Sequence, residues 1–289
     1  MARERNIAPS SVSRAISSLE NELGVKLFQR TTRQLSPTEA GVNYYHRVEH
    51  LVEELVHAGQ LVADSDEQPK GNLRITAPVT FGQILLTPHL PRFMERWPEV
   101  SVNLMLSDAT VDLVNDRIDI ALRLGRLPDS SYAARKLGPM HMVVCAAPAY
   151  LERYGHPNHP EELAHHNCLR LPLAGYRTRW IFRRRGEKAF GVDVHGRCTI
   201  SNVAALADCA IGGMGIVLLP VWSVADALSD GRLTALCADW QVTATDFEAA
   251  VWMLYPSKEY LPLKTLAMME FISSECLSCL NPDVDEKKS

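Results

Sequence analysis

The sequence predicts an α/β protein in two parts: a short, locally basic helical head that runs into one long helix, then a larger body of two α/β lobes. Three observations predict it. Apolar residues recur at helical spacing from Val12 to Leu23 and again from Tyr44 to Val62. From Asn72 onward, short apolar runs of strand length alternate with helical runs. Between the two regimes lies Asp64-Ser-Asp-Glu-Gln-Pro-Lys-Gly71, a polar stretch with the proline and glycine of a hinge.

The totals agree. A chain of 289 residues fits two or three domains, and 46% hydrophobic with 22% charged residues is ordinary globular composition. No run approaches the roughly 18 apolar residues of a bilayer crossing. The start, Met-Ala-Arg-Glu-Arg, lacks an apolar secretion core, so the expected location is the cytoplasm, with no membrane partner. Seven cysteines lie scattered in mostly apolar runs, as reduced thiols do. Cys276 and Cys279 form a lone CxxC with no second pair to complete a zinc site. Net charge is −4, yet residues 1–37 carry six basic against three acidic side chains, a local +3.

In the head, Pro9 suits the first position of a helix that runs to about Leu23. Val12, Ile16, Leu19 and Leu23 gather on one stripe, and Gly24 stops the helix. The segments 27–30 and 34–36 suit a small hairpin whose tip, Thr31-Thr32-Arg33, is basic. With Ser36 as cap, Pro37 at N1 and Glu39 at N3, a capping box starts a helix that continues to about Asp66, roughly 40 Å. Its seam of Tyr44, Val48, Leu51, Leu55, Ala58 and Val62 favours a partner helix, hence a dimer.

In the body, expected strands are 73–76, 102–106, 118–124, 142–146, 168–171, 216–220 and 247–255, with a hairpin pairing 180–183 and 192–194. Expected helices are 82–96, about 111–116, a helix opened by Ser201-Asn202 and ended by Gly212-Gly213, and 261–280. Two α/β series and a late strand imply two lobes joined by crossovers.

Candidate chemistry is sparse. The helix from Pro9 leaves short hydroxyls and Arg14 near its N-terminus, the parts of a major-groove reader, and Arg30 to Arg33 can neutralise phosphates. In the body, Thr80 after the first strand and Ser201 at a later helix start could hold a carboxylate between two helix ends; as simple caps they would do nothing more. His156, His159, His165 and His166 crowd together, but prolines break helical metal-ligand spacing, and Arg183-Arg184-Arg185 reads as a solvated turn. There is no GxSxG, P-loop, strand-to-helix GxGxxG or HExxH. Thr80, Arg123, Ser201 and Asn202 supply no base, so the expectation is a protein that is not an enzyme and needs no cofactor or metal.

The run Asn6 to Gly41, NIAPSSVSRAISSLENELGVKLFQRTTRQLSPTEAG, resembles LysR-type transcriptional regulators. The resemblance extends through Gly71-Asn-Leu-Arg-Ile-Thr-Ala-Pro78, Ile118-Asp-Ile-Ala-Leu-Arg-Leu-Gly125 and Gly213-Met-Gly-Ile-Val-Leu-Leu-Pro220. It implies an α/β chain with a partial winged helix-turn-helix over 1–37, a dimerising linker helix over 38–67 and a hinge over 68–72. A two-lobed effector domain built like a periplasmic solute-binding protein would span 73–281, with lobe I formed by 73–146 and 247–281 and lobe II by 147–246. A disordered tail would follow over 282–289.

By the same resemblance, Pro9, Ser10, Ser11, Ser13 and Arg14 would enter the major groove, and Arg30, Thr31, Thr32 and Arg33 would form the wing. Thr80, Phe81, Gly82, Arg123, Gly125, Ser201, Asn202 and Gly215 would line the effector cleft. The implied partners are promoter DNA, a small effector such as a carboxylate, and further copies of the chain in a homodimer or homotetramer. The family usually begins about 25 to 30 residues earlier, and Arg5 stands where the family has an apolar residue. A cytosolic ligand-binding module that has lost DNA binding through truncation is therefore the alternative expectation.

Overall fold

The computed structural model describes residues 9–30, 35–45, 47–48, 68–109, 113, 116–127, 132–172, 178–184, 186–256 and 261–276. They belong to two compact units, residues 1–67 and 68–289.

In the first unit, helix α1 (Pro9–Leu23) forms where the spacing places it, with proline in its first turn. Val12, Ile16 and Leu19 are half-buried on one stripe, and Ser11, Ser13, Arg14 and Ser17 are exposed on the other. Strands β1 (Phe28–Arg30) and β2 (Leu35–Pro37) pair antiparallel, Gln29 opposite Ser36. The expected capping box shifts by two residues. Pro37 stays in the hairpin opposite Phe28, so the cap falls to Thr38, whose Oγ1 accepts from the Gly41 amide at 3.0 Å. Helix follows over 39–45 and 47–48; the remainder of the long helix with its seam beyond Val48, and residues 1–8 with Arg5, lie outside the described residues.

The larger unit opens with β3 (Gly71–Ala77), β4 (Val100–Leu106) and β5 (Ile120–Gly125). All three are parallel, with β3 central as strand–helix alternation demands. Strand β13 (Ala250–Tyr255) returns antiparallel to β5 and to β6 (Ala133–Pro139), giving the order β4-β3-β5-β13-β6. One helical stretch, α2, crosses from β3 to β4 in four pieces: Val79–Phe81, a π segment Gly82–Leu86, a 3-10 turn Thr87–His89 and Leu90–Arg96. The core between sheet and helices holds Leu73, Ile75, Phe81, Phe93, Leu122, Val251, Met253 and Phe271. Phe93, Trp97 and Phe271 meet there ring to ring. The last helix, α6 (Leu263–Phe271), continues as a π segment to Cys276; Cys279 and the tail fall outside the described residues.

The second lobe is built on β7 (Met142–Ala146), flanked antiparallel by β10 (Val217–Pro220) and β11 (Thr234–Leu236). The expected lobe boundary follows Ala146; among the described residues β7, apolar enough for either sheet, pairs with β10 and β11. Residues 167–170 extend this sheet through bridges to Ile216, His195 and Thr199. A smaller sheet, β12-β8-β9 (Gln241–Thr243, Arg179–Arg183, Phe190–Asp193), contains the expected hairpin. Helices α3 (Pro148–Tyr154), α4 (Val203–Ile211) and α5 (Val221–Ser229) cover the sheets.

Candidate DNA-reading head and effector seam

The described part of the head presents Ser11, Ser13 and Arg14 outward from the first turns of α1. Pro9, Ser10 and Arg30 are placed by their backbone, and Thr31, Thr32 and Arg33 lie outside the described residues. Glu20, on the same helix, is a residue that motif reading did not single out. Its carboxylate is 7% exposed, accepts from the amides of Leu27 (2.9 Å) and Phe28 (3.1 Å) and pairs with Lys26 Nζ at 2.6 Å. It thereby fastens the helix to the root of the hairpin.

Lys26, then the Phe28 amide, hold this carboxyl below its ordinary range. A lowered folded pKa gives stability that is complete above the ordinary carboxylate range and is lost as pH falls through the folded value. In acid titrations followed by circular dichroism, Glu20→Gln should start with a less stable head at neutral pH and show a flatter loss below it. Superimposable profiles would contradict this role.

In the larger unit the structure brings three expected residues to one seam between the lobes. Thr80, 3% exposed, reaches across so that its hydroxyl accepts from the Ala204 amide in the first turn of α4 at 3.3 Å. Asn202 caps that same helix, its Oδ1 accepting from the Ala205 amide at 3.0 Å. Ser201, one residue earlier, is exposed and is not the cap. Phe81 adds an apolar contact, standing edge-on to Trp222 of α5 with ring centroids 5.3 Å apart.

Trp222 went unnoticed in the sequence because α5 starts directly after Pro220 with no cap motif. Its side chain leaves the second lobe and packs into the first lobe's core, where its Nε1 is buried without a partner.

Arg123 is held at the carboxyl end of β5. Its register partner on β13 is Trp252, itself opposite Lys136 of β6, whose ammonium lies 5.9 Å from the indole. Strand β3 pairs Thr76 with Ala121, so Arg123 is two residues beyond that pair on one strand, as Pro78 is on the other. One Nη donates to the Leu122 carbonyl at 2.9 Å; the other is buried with no partner. Burial lowers the guanidinium pKa.

The glycines of the set do different work. Gly125 ends β5 at φ +106°, and its carbonyl accepts from Trp252 Nε1 at 3.0 Å. A side chain on Gly82 would meet Leu106 and Ala77, and one on Gly215 would collide with the Asn167 carbonyl, so both permit close packing.

The histidine run serves structure. His159 caps the 3-10 turn Pro160–His165 by accepting from the Glu161 amide, and its ring stacks on Phe190 and meets Trp240 edge-on. His166 contacts the Tyr150 hydroxyl at 3.3 Å. Among the described residues no group of three or more metal-ligating side chains comes together. Burial pushes the Cys145 and Cys168 thiols up to about 12, which makes them packing residues rather than nucleophiles. No helix among the described residues is long and apolar enough to cross a membrane.

Comparison with known proteins matches residues 2–42 to the bacterial regulatory helix-turn-helix protein of the lysR family, and residues 66–277 to the LysR substrate binding domain. A probable HTH-type transcriptional regulator, LtrA, of Klebsiella pneumoniae is 32% identical over 281 residues, 97% of this chain and 90% of that protein. The HTH-type transcriptional regulator CrgA of Neisseria meningitidis serogroup C is 33% identical over 274 residues, covering 95% and 90%. Among solved structures, CrgA from Neisseria meningitidis superposes with a TM-score of 0.64 at 32% identity, covering 95% of this chain and 92% of that one. The full-length Vibrio cholerae virulence activator AphB gives 0.61 at 28% identity, covering 94% and 91%. With a helix-turn-helix at one end and a two-lobed ligand-binding body at the other, the chain belongs to the LysR family of transcriptional regulators, proteins that bind promoter DNA, respond to small-molecule effectors and assemble into oligomers without being enzymes.

Proposed function

We propose that this regulator is switched by a small organic acid bound at the seam between its lobes. The carboxylate meets Arg123 and the first turn of α4, where Thr80, Ser201 and Asn202 converge; Phe81 and Gly125 border it, and Gly82 and Gly215 shape its walls. The observation that carries this reading is the Arg123 Nη group, a buried cationic donor without an acceptor, at the carboxyl end of a strand that runs parallel to β3. A buried donor left unmade costs about 1–3 kcal/mol, a cost that a bound anion removes. The Ala204 amide, now bonded to the neutral Thr80 hydroxyl, gains from an anion at a helix N-terminus.

On DNA, Pro9, Ser10, Ser11, Ser13 and Arg14 read base edges and Arg30, Thr31, Thr32 and Arg33 grip phosphates. Residues 1–37, 38–67, 68–72, 73–281 and 282–289 serve as head, dimerising helix, hinge, effector domain and tail. The linker helix and the effector domain pair copies into a homodimer or homotetramer, and the protein works in the cytoplasm. Acid binding shifts the balance of lobe arrangements and with it the placement of paired heads.

A gel-shift titration on the intergenic DNA beside its own gene, with and without each of a panel of organic acids, tests this. One acid should change the DNA affinity about 5- to 150-fold, the usual span of allosteric coupling. A panel that leaves affinity unchanged while neutral compounds alter it would refute the acid as signal.

A further inference from the structure

The segment Lys26–Phe28, between α1 and the hairpin, is held from both sides. Its amides face the helix: Leu27 and Phe28 donate to the buried Glu20 carboxylate at 2.9 and 3.1 Å. Its carbonyls face the start of the next helix: the Thr38 hydroxyl donates to the Lys26 carbonyl at 2.7 Å and the Thr38 amide to the Leu27 carbonyl at 2.9 Å. Thr38 Oγ1 is also the cap, accepting from Gly41. Gly41 lies so close that a side chain there would collide with the Leu27 carbonyl oxygen, and Leu27 itself is 4% exposed. Two polar side chains, 18 positions apart, thus use the backbone of three residues as a shared splint.

We infer that Glu20 and Thr38 are positioning residues for DNA reading: they lock α1 to the first turn of the linker helix through residues 26–28. Wherever the linker helix is turned, the reading helix turns with it. This rests on α1 being the helix that reads DNA. Both side chains are spent inside the head, Thr38 on backbone groups and Glu20 on two amides and the Lys26 ammonium. Their loss therefore blurs the orientation of the head more than it weakens phosphate contacts, which are sequence-independent.

The test is a fluorescence-anisotropy titration of the full chain at one fixed salt concentration, against the intergenic duplex beside its own gene and a scrambled duplex of equal length. Thr38→Val should lower the ratio of specific to scrambled affinity about tenfold, the fold-change expected when the hydroxyl's two hydrogen bonds, to the Lys26 carbonyl and from the Gly41 amide, are lost. Thr38→Ser, which restores the hydroxyl, should keep the wild-type ratio. An unchanged ratio in Thr38→Val, or an equal fall on both duplexes, overturns the inference. If Thr38→Val proves unfolded by circular dichroism, Glu20→Gln decides. It keeps an acceptor for both amides but not the charge that strengthens those bonds, so the ratio should fall about threefold; an unchanged ratio there also overturns it. Arg14→Ala separates the two claims. If it leaves the ratio unchanged, α1 is not the reader and the underlying assignment fails. If its ratio falls while that of Thr38→Val holds, only the joint fails.

Discussion

Trp222→Ala should lower the stability of the two-lobed body by about 3–5 kcal/mol, the usual result of truncating a buried aromatic. For a unit of this size that is a fall in thermal midpoint on the order of 10 °C. The indole is 8% exposed, belongs to the second lobe by its helix and to the first by its packing, and stands edge-on to Phe81. Its removal opens a cavity at the contact that joins the lobes, beside the Thr80–Ala204 bond. Trp222→Phe should behave differently. It keeps a ring against Phe81 and deletes a buried N–H that has no acceptor, so it should cost much less than the alanine change. Thermal denaturation of both variants separates these outcomes. An alanine variant as stable as wild type would mean that Trp222 is no wedge between the lobes.

Much of this architecture could be read from the residues because the local and tertiary rules agree there. The 4-3-4 spacing of Val12, Ile16, Leu19 and Leu23 gave a helix with the expected bounds, and the parallel strands β3, β4 and β5 followed from apolar runs separated by a helix-length crossover. The reading failed where an element depends on distant partners. Strand β6, Ala-Ala-Arg-Lys-Leu-Gly-Pro, is charged and ends in Gly-Pro, and it is a strand because β13 pairs with it. Short strands β11 and β12 exist only as neighbours of β7 and β8. The capping box at Ser36 was chemically reasonable, yet Pro37 opposite Phe28 prolongs the hairpin and hands the cap to Thr38.

Helix-start logic pointed to the two segments 78–82 and 201–202, and lobe placement decides which of their groups meet. That logic set Thr80 against Ser201; at the first turn of α4 it is Asn202 that caps the helix and Thr80 that accepts from Ala204, while Ser201 is exposed. What the pattern could not show is that Thr80 bonds the opposite lobe rather than its own helix, since that depends on lobe placement. Gly215 was assigned to the cleft on resemblance, but its neighbour is the Asn167 carbonyl, a contact invisible in a one-dimensional pattern. Glu20 carried a faint signal: an acid on a helix six residues before Lys26, which only the folded turn turns into a ligand for two amides.

Arg123→Met is the second large effect and the most direct test of the acid-sensing account. Methionine keeps much of the arginine stem in the β5 position and removes the buried guanidinium nitrogen that lacks a partner. Without ligand, the variant should therefore stay within about 1 kcal/mol of wild-type stability. With ligand the two should diverge. An acid at 100 times its Kd adds about 2.7 kcal/mol to the wild type. A charge-assisted hydrogen bond of about 2 kcal/mol makes binding roughly thirtyfold weaker when lost, leaving under about 1 kcal/mol of that gain. The deciding measurement is the acid-induced rise in thermal midpoint of wild type and Arg123→Met under identical conditions. The account predicts a clear rise in the first and one cut to about a third in the second, at starting stabilities within about 1 kcal/mol of each other. Equal rises in both would contradict it.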